Sequence, residues 1–237
     1  MCPASSAAGT LANHILARLP AEEIHVLEPH LKHVEFERGA ILCDRNAEGH
    51  LLFLNRGMIC LMTSSDKGEM IEAGVLGAEG VCGGQLLLHA PQAPYRAVVQ
   101  LPGSGVQIAW DILEQLLPRL PCLAKRIRRH LHLLLTQFAQ SVLCSRFHPA
   151  SQRLARWLLT SRDLCGRDTL AMTQEVLSHT VGVPRTWVNH VAGELQAQGL
   201  ISYRSGVITI RAAGELERFA CECYRVTRDA RNAYLQL

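Results

Sequence analysis

The sequence predicts an α+β chain in which an antiparallel β domain is followed by a long helix and then by a winged helix-turn-helix. Three observations lead there. Between His33 and Ala109, short runs rich in Val, Ile and Leu alternate with glycine-bearing turns such as Arg38-Gly39, Arg56-Gly57 and Lys67-Gly68, the signature of many short strands closing a barrel or sandwich. From Pro121 to Leu143, apolar residues recur at alternating steps of four and three, as on the seam of one long helix. From Met172 to Ile210, two short apolar-faced helices flank Gly182, and a hairpin signal follows at Ser205-Gly206; together these make a winged helix.

Composition sets the outer bounds. The chain has 237 residues, 48% of them hydrophobic, enough for two modest domains and incompatible with a largely disordered protein. Its net charge of +3 is unevenly divided. Residues 1–110 hold 7 Lys/Arg against 11 Asp/Glu, whereas residues 111–237 hold 17 against 10. A basic second part suits contact with a polyanion; solvated helices are the plainer explanation. The first twenty residues lack the charged start and apolar core of a signal peptide, and no stretch is apolar enough to cross a bilayer. A cytoplasmic protein without a membrane partner is therefore expected. The nine scattered cysteines are accordingly expected to be reduced, buried thiols.

Taken in order, Leu11, Ile15 and Leu19 mark a helix that Pro20 ends, and a second short helix stops at Pro29. The β region follows. Asp111 opens a helical region, interrupted by Pro118 and Pro121, before the long helix with Ile127, Leu131, Leu134 and Phe138 on its seam. So narrow a seam needs a partner. A second copy of the chain is the economical choice, with packing on the chain's own β domain as the alternative. Residues 153–164 form an amphipathic helix with Leu154, Trp157, Leu158 and Leu164 inward, and Gly166–Leu170 is a connector. Thr173 is placed to cap the next helix, whose apolar face is Val176, Leu177 and Val181. The second helix starts near Pro184 and buries Val188, Val191 and Leu195. That leaves Arg185, Thr186, Asn189 and His190 outward, side chains able to hydrogen-bond base edges and phosphates. The tail from Gly214 to Leu237 reads as one further helix.

These residues carry a family resemblance over roughly Leu16–Ile210. The phrases GVLGAEGVCGG (74–84), RLARWLL (153–159), TQEVLSHTVGVPRTWVNHVAGELQAQGLI (173–201) and the tail CECY (221–224) resemble the Crp/Fnr family of bacterial transcription regulators. The resemblance implies a jelly-roll-like, cyclic-nucleotide-binding-type β-roll with N-terminal helices over residues 1–110. A linker and dimerisation helix would span 111–145, and a winged helix with a helical tail 146–237. It further implies a homodimer on double-stranded DNA, with RNA polymerase as a partner in the case of an activator. Thr173 and Gln174 would anchor the DNA backbone, and Arg185, Thr186, Asn189 and His190 would read the groove.

The departures from the family pattern narrow these expectations. Gly83-Gly84-Gln85 stands where cyclic-AMP-binding members carry Gly-Glu, and Ala97 follows Arg96 where they carry a hydroxyl. Arg96 is kept as the candidate effector-binding residue, to hold an anion or to be paired within the fold. Cys2 alone precedes Cys43, so the N-terminal iron–sulfur pattern is absent. Cys221-x-Cys223 is a weak metal signal, because on a helix the two side chains diverge. No cofactor and no metal are expected. His130 and His132 are taken as surface residues of a basic helix. No catalytic constellation is found, so the chain is not expected to be an enzyme. Thr186 and His190 replace the family's usual Glu and Arg, so a departure from its usual half-sites is expected. The alternative function is a small-anion or nucleotide-binding signalling module whose DNA specificity has decayed.

Overall fold

The computed structural model describes residues 12–44, 49–90 and 92–237; the expected helical start at Leu11 lies outside them. The chain divides into two compact units. The first gathers the residues up to Met62, Val75–Leu135 and Tyr234–Leu237; the second holds Thr63–Gly74 and Thr136–Ala233.

The first unit opens with helix α1 (Ala21–Leu27) between two single 3-10 turns. Antiparallel strands follow: β1 (Lys32–Phe36), β2 (Ile41–Cys43), β3 (His50–Ser64), β4 (Met70–Leu76), β5 (Val81–Cys82) and β6 (Arg96–Ala109). The sheet order is β1-β6-β3-β4, with β2 also paired to β6 and β5 to β3. β3 and β6 are long because each bends through register shifts near Leu54–Ile59 instead of ending. Gly103 permits this crowding: a Cβ there would lie 2.0 Å from the Arg56 carbonyl oxygen. The all-β domain expected from turn spacing is thus present as an antiparallel roll.

Leu51, Phe53, Val106 and Ile108 form the core of this unit with Ile15, Leu16, Leu19 and Leu27. Asn13 organises the entry. Its amide nitrogen donates to the carbonyls of Leu54 (2.8 Å), Ala78 (3.0 Å) and Gly80 (2.8 Å), while its oxygen accepts from the Ile15 N–H. Buried carbonyls of this kind must be paired.

Helix α2 (Trp110–Leu116) leads to α3 (Pro121–Phe147), longer than the expected 121–143. Pro121 begins the helix as expected, because a first-turn residue loses nothing by lacking an N–H. Glu23, from α1, closes this end: its carboxylate accepts from the N–H groups of Cys122 (2.8 Å) and Leu123 (2.9 Å), where a negative charge suits the helix dipole.

The seam residues of α3 lie mostly inward. Ile127 and Leu134 are buried, and Leu131 packs on the β-roll core; Phe138 is half-buried. The stripe left open runs one residue further along at every step, through Arg128, His132, Leu135, Ala139 and Val142.

His130 departs from the surface position expected of it. It is buried beside the Tyr234 ring, and burial pushes its pKa down to about 3. Between that value and the ordinary imidazole range the unfolded chain binds a proton that the folded chain does not. Stability is therefore expected to fall on acidification below about pH 6.5, by at most ~1.4 kcal/mol per pH unit. Denaturant titrations from pH 7 to 5 on the native chain and His130→Leu check this: the variant should show the shallower slope.

Of the other expectations, the first N-terminal helix is reduced, among the described residues, to a 3-10 turn at Leu16–Arg18, whereas the second is present as α1. Cys122 is disulfide-bonded, an exception to the reduced thiols expected, whereas Cys43, Cys60, Cys82, Cys144, Cys165, Cys221 and Cys223 are not in disulfides. No described helix is long and apolar enough to cross a membrane.

The second unit contains α4 (Ala150–Cys165), β7 (Thr169–Ala171), α5 (Gln174–Val181), α6 (Val188–Ala197), β8 (Ile201–Arg204), β9 (Val207–Ile210), α7 (Ala213–Phe219) and α8 (Cys223–Leu235) up to Ala233. The expected connector at 166–170 is partly a strand: β7 pairs with β9 to give a three-stranded sheet in the order β7-β9-β8. Three residues are too few for a periodicity to register. The single tail helix is instead broken between Phe219 and Cys223, where Ala220 is extended (φ −61°, ψ 154°).

Candidate nucleic-acid interface and metal centre

The helix-turn-helix is built as its residues suggest. The Thr173 hydroxyl accepts from the Val176 N–H at 3.2 Å and caps α5. Gly182 ends α5 in the left-handed region (φ +68°), a conformation that favours glycine. Ser178 then donates to the Val183 carbonyl at 2.7 Å and holds the turn. Arg185–Trp187 form a 3-10 turn before α6, so the recognition segment enters tightly wound and relaxes at Val188. Leu177, Val181, Val188, Val191 and Leu195 are buried against this unit's core, while Val176 is half-buried.

The outward residues are those the sequence singled out. Arg185, Thr186, Asn189 and His190 are all exposed on one side of α6 and its leading turn. Gln174 donates to the Asn189 side-chain oxygen at 3.0 Å, so the two helices present these amides as a connected pair. His190 contacts Glu194 one turn later at 3.3 Å. An added feature is Trp187, 58% exposed and edge-on to the His190 ring at 5.6 Å. Its place one residue before the buried Val188 is the sequence signal that it faces out. The wing turns at Ser205 and Gly206, both at positive φ (48° and 73°), as a two-residue hairpin requires. Arg204 stands exposed beside that turn, a further cation near the recognition helix that only the charge count had registered.

Support for the recognition turn comes from the first residues of β4, which belong to the same unit. Trp157 donates its indole N–H to Glu72 at 2.7 Å, and Ile71 lies beside Gly182.

In the β-roll, Arg96 forms an ion pair with Asp44 at 2.9 Å, with both side chains about two-fifths exposed. Gln85 is buried and accepts from the Tyr95 hydroxyl at 3.5 Å.

The expectation of a chain without a metal or cofactor site is overturned. Donor atoms of Cys144, His148, Cys221 and Cys223 all lie within 4.8 Å of one another. Cys144 and His148 are one turn apart, and the His148 N–H still bonds to the Cys144 carbonyl, so both face the same way. Cys221 and Cys223 do not diverge as they would on a helix, because the break after Phe219 leaves Cys221 outside both helices. The three sulfurs form a small buried cluster of their own. Hydrogen bonding between Cys144 and Cys221 draws the first thiol's pKa down and pushes the second up; burial pushes Cys223 up.

The described chain is thus built of a β-roll, a long helix and a winged helix. Residues 152–219 match the Crp-like helix-turn-helix domain. The fold is that of a Crp/Fnr-family regulator from Eubacterium rectale (18% identity, 85% of this chain and 94% of that one, TM-score 0.68). It is equally that of the c-di-GMP-responsive global regulator CLP from Xanthomonas campestris (18%, 81% and 99%, 0.69) and of FixK2 from Bradyrhizobium japonicum (15%, 81% and 98%, 0.68). No curated protein matches the chain. The winged helix is thus of the Crp-like family, and the whole chain is built as Crp/Fnr transcription regulators are.

Proposed function

We propose that this protein is a dimeric, sequence-specific DNA-binding transcription regulator that acts in the cytoplasm and is not an enzyme. Arg185, Thr186, Asn189 and His190 enter the major groove; Thr173, Gln174 and Arg204 lie against the backbone. The observation that carries this reading is the exposed polar face of α6, backed by buried apolar residues and flanked by a wing with its own arginine. The exposed donors and acceptors on such a helix match base edges and phosphates. Dimerisation uses the open stripe of α3, with Leu135, Ala139 and Val142 at its centre. Residues 146–210 carry 7 Arg against 4 acids. Phosphate attraction per subunit is therefore moderate, and two linked half-sites are needed for tight binding. The β-roll serves as the effector-responsive arm, in line with the responsiveness named for the Xanthomonas relative.

The alternative of an anion-binding signalling module gains no support from Arg96, whose guanidinium is engaged by Asp44. Competition between genomic fragments and bulk DNA at physiological salt tests the proposal. Specific fragments should be retained at a large excess of competitor, on the order of a thousandfold or more; uniform displacement of every fragment would refute sequence-specific regulation.

A further inference from the structure

We propose that Cys144, Cys221 and Cys223, through Sγ, and His148, through Nδ1, bind one zinc ion in a closed, tetrahedral, structural site. Four observations converge on it.

The donor set is of the right kind. Three sulfurs and one imidazole nitrogen are a standard structural zinc set, and soft thiolates select zinc over hard cations.

The spacing fits a single ion. Zn–S bonds of ~2.3 Å and Zn–N bonds of ~2.0 Å hold tetrahedral donors about 3.5–3.8 Å apart. Here Cys144 and Cys221 sulfurs are 3.5 Å apart, and Cys223 Sγ lies 3.4 Å from His148 Nδ1. The widest separation, 4.8 Å at most, closes with rotamer adjustments of a few tenths of an ångström to about 1 Å. The donors are too close together to enclose a multi-iron cluster.

The surroundings orient the ligands. His148 Nε2 lies 3.2 Å from Glu222 Oε1. That contact places the ring proton on Nε2 and turns the Nδ1 lone pair toward the sulfurs, the carboxylate–histidine–metal relay of many zinc sites. Gln140, one turn before Cys144, donates to Cys223 Sγ at 3.1 Å. Arg153 and Arg156 are the cations that act electrostatically on Cys144. Binding releases three thiol protons to solvent and changes no oxidation state. The product, one Zn2+ with three thiolates and a neutral imidazole, carries a net charge of −1, which those arginines offset.

The site is closed. The three cysteines are buried, and the His148 side chain is 14% exposed. A catalytic zinc keeps an open position for water; four protein donors leave none. The ion would pin the last turn of α3 to the junction of α7 and α8, and so hold the tail against the frame of the winged-helix unit. Zinc here adds stability to the DNA-binding unit instead of chemistry.

The full chain, purified under reducing conditions without chelator, should contain about one zinc per subunit by elemental mass spectrometry. After zinc removal, cobalt(II) added to the same chain should give the intense visible bands of a tetrahedral ion and the near-ultraviolet bands of thiolate ligation. Cys223→Ser and His148→Ala should lose at least tenfold in cobalt affinity. Cys165→Ser, a partly buried cysteine outside the cluster, should keep both metal content and spectrum. Should the cluster variants not fold, the native chain alone decides. A reduced, helical chain without zinc that gives no tetrahedral cobalt spectrum overturns the proposal. So does a native chain isolated with Cys144 and Cys221 joined as a disulfide.

Discussion

Replacing Leu135 and Val142 together by glutamate is expected to yield a folded monomer that binds its operator at least a hundredfold more weakly than the native chain. Leu135 is 64% and Val142 72% exposed in the isolated chain, so the new carboxylates stay solvated and cost the monomer little. In a twofold dimer the same positions face their own copies, and four carboxylates would be brought together in the seam. Like charges at a desolvated interface oppose association strongly. Loss of the second half-site then removes the effective-concentration gain, worth ~10²–10⁴ in affinity. Sedimentation and duplex binding measure the two effects separately. A double variant that stays dimeric would move the interface elsewhere on the chain. The corresponding change at Ile127 and Leu134 should instead unfold the protein, since both side chains are buried in its own core.

The second large effect is expected at Arg185. Its guanidinium is exposed at the start of the recognition segment, the part of such a helix that approaches base edges. Arg185→Ala should cost ~1–3 kcal/mol at each half-site if the contact is a bidentate one to guanine. That is roughly five- to 150-fold per subunit, and more in a dimer that uses both. The loss should be confined to the preferred sequence, with binding to bulk DNA reduced only by the missing charge. Affinity for the selected duplex and for variants changed at single base pairs distinguishes the cases. Equal losses on every sequence would make Arg185 a phosphate contact and shift base reading to Asn189, His190 and Trp187.

Much of the architecture was legible because local chemistry dictates it. Gly182, Thr173 and the Ser205-Gly206 pair each do at their own position what their type allows: a left-handed cap, an N-cap and a two-residue turn. The outward set on α6 followed from the buried spacing of Val188, Val191 and Leu195. What periodicity does not contain is the identity of the partner. The seam through Ile127, Leu131 and Leu134 is a genuine apolar face, yet Ile127 and Leu131 pack on the chain's own roll, Leu134 is buried, and the stripe one residue further along is the open one. Trp187 was not singled out, because an aromatic type alone does not mark a groove-facing position. The cysteine–histidine cluster was missed for a longer-range reason. Its two halves lie more than seventy residues apart in sequence, and they meet only because the chain leaves the helix at Ala220. Neither spacing alone, Cys144 with His148 or Cys221 with Cys223, distinguishes a ligand pair from buried thiols and a capping imidazole.

The central claim is that two copies of this chain read two halves of one DNA site. Hydroxyl-radical footprinting on the best-retained genomic fragment tests it most directly. The account predicts two protected patches related by twofold symmetry, with centres about one helical turn (~34 Å) apart. Leu135→Glu with Val142→Glu should abolish both patches at the same protein concentration. A single protected patch, or even protection along the whole fragment, would contradict it.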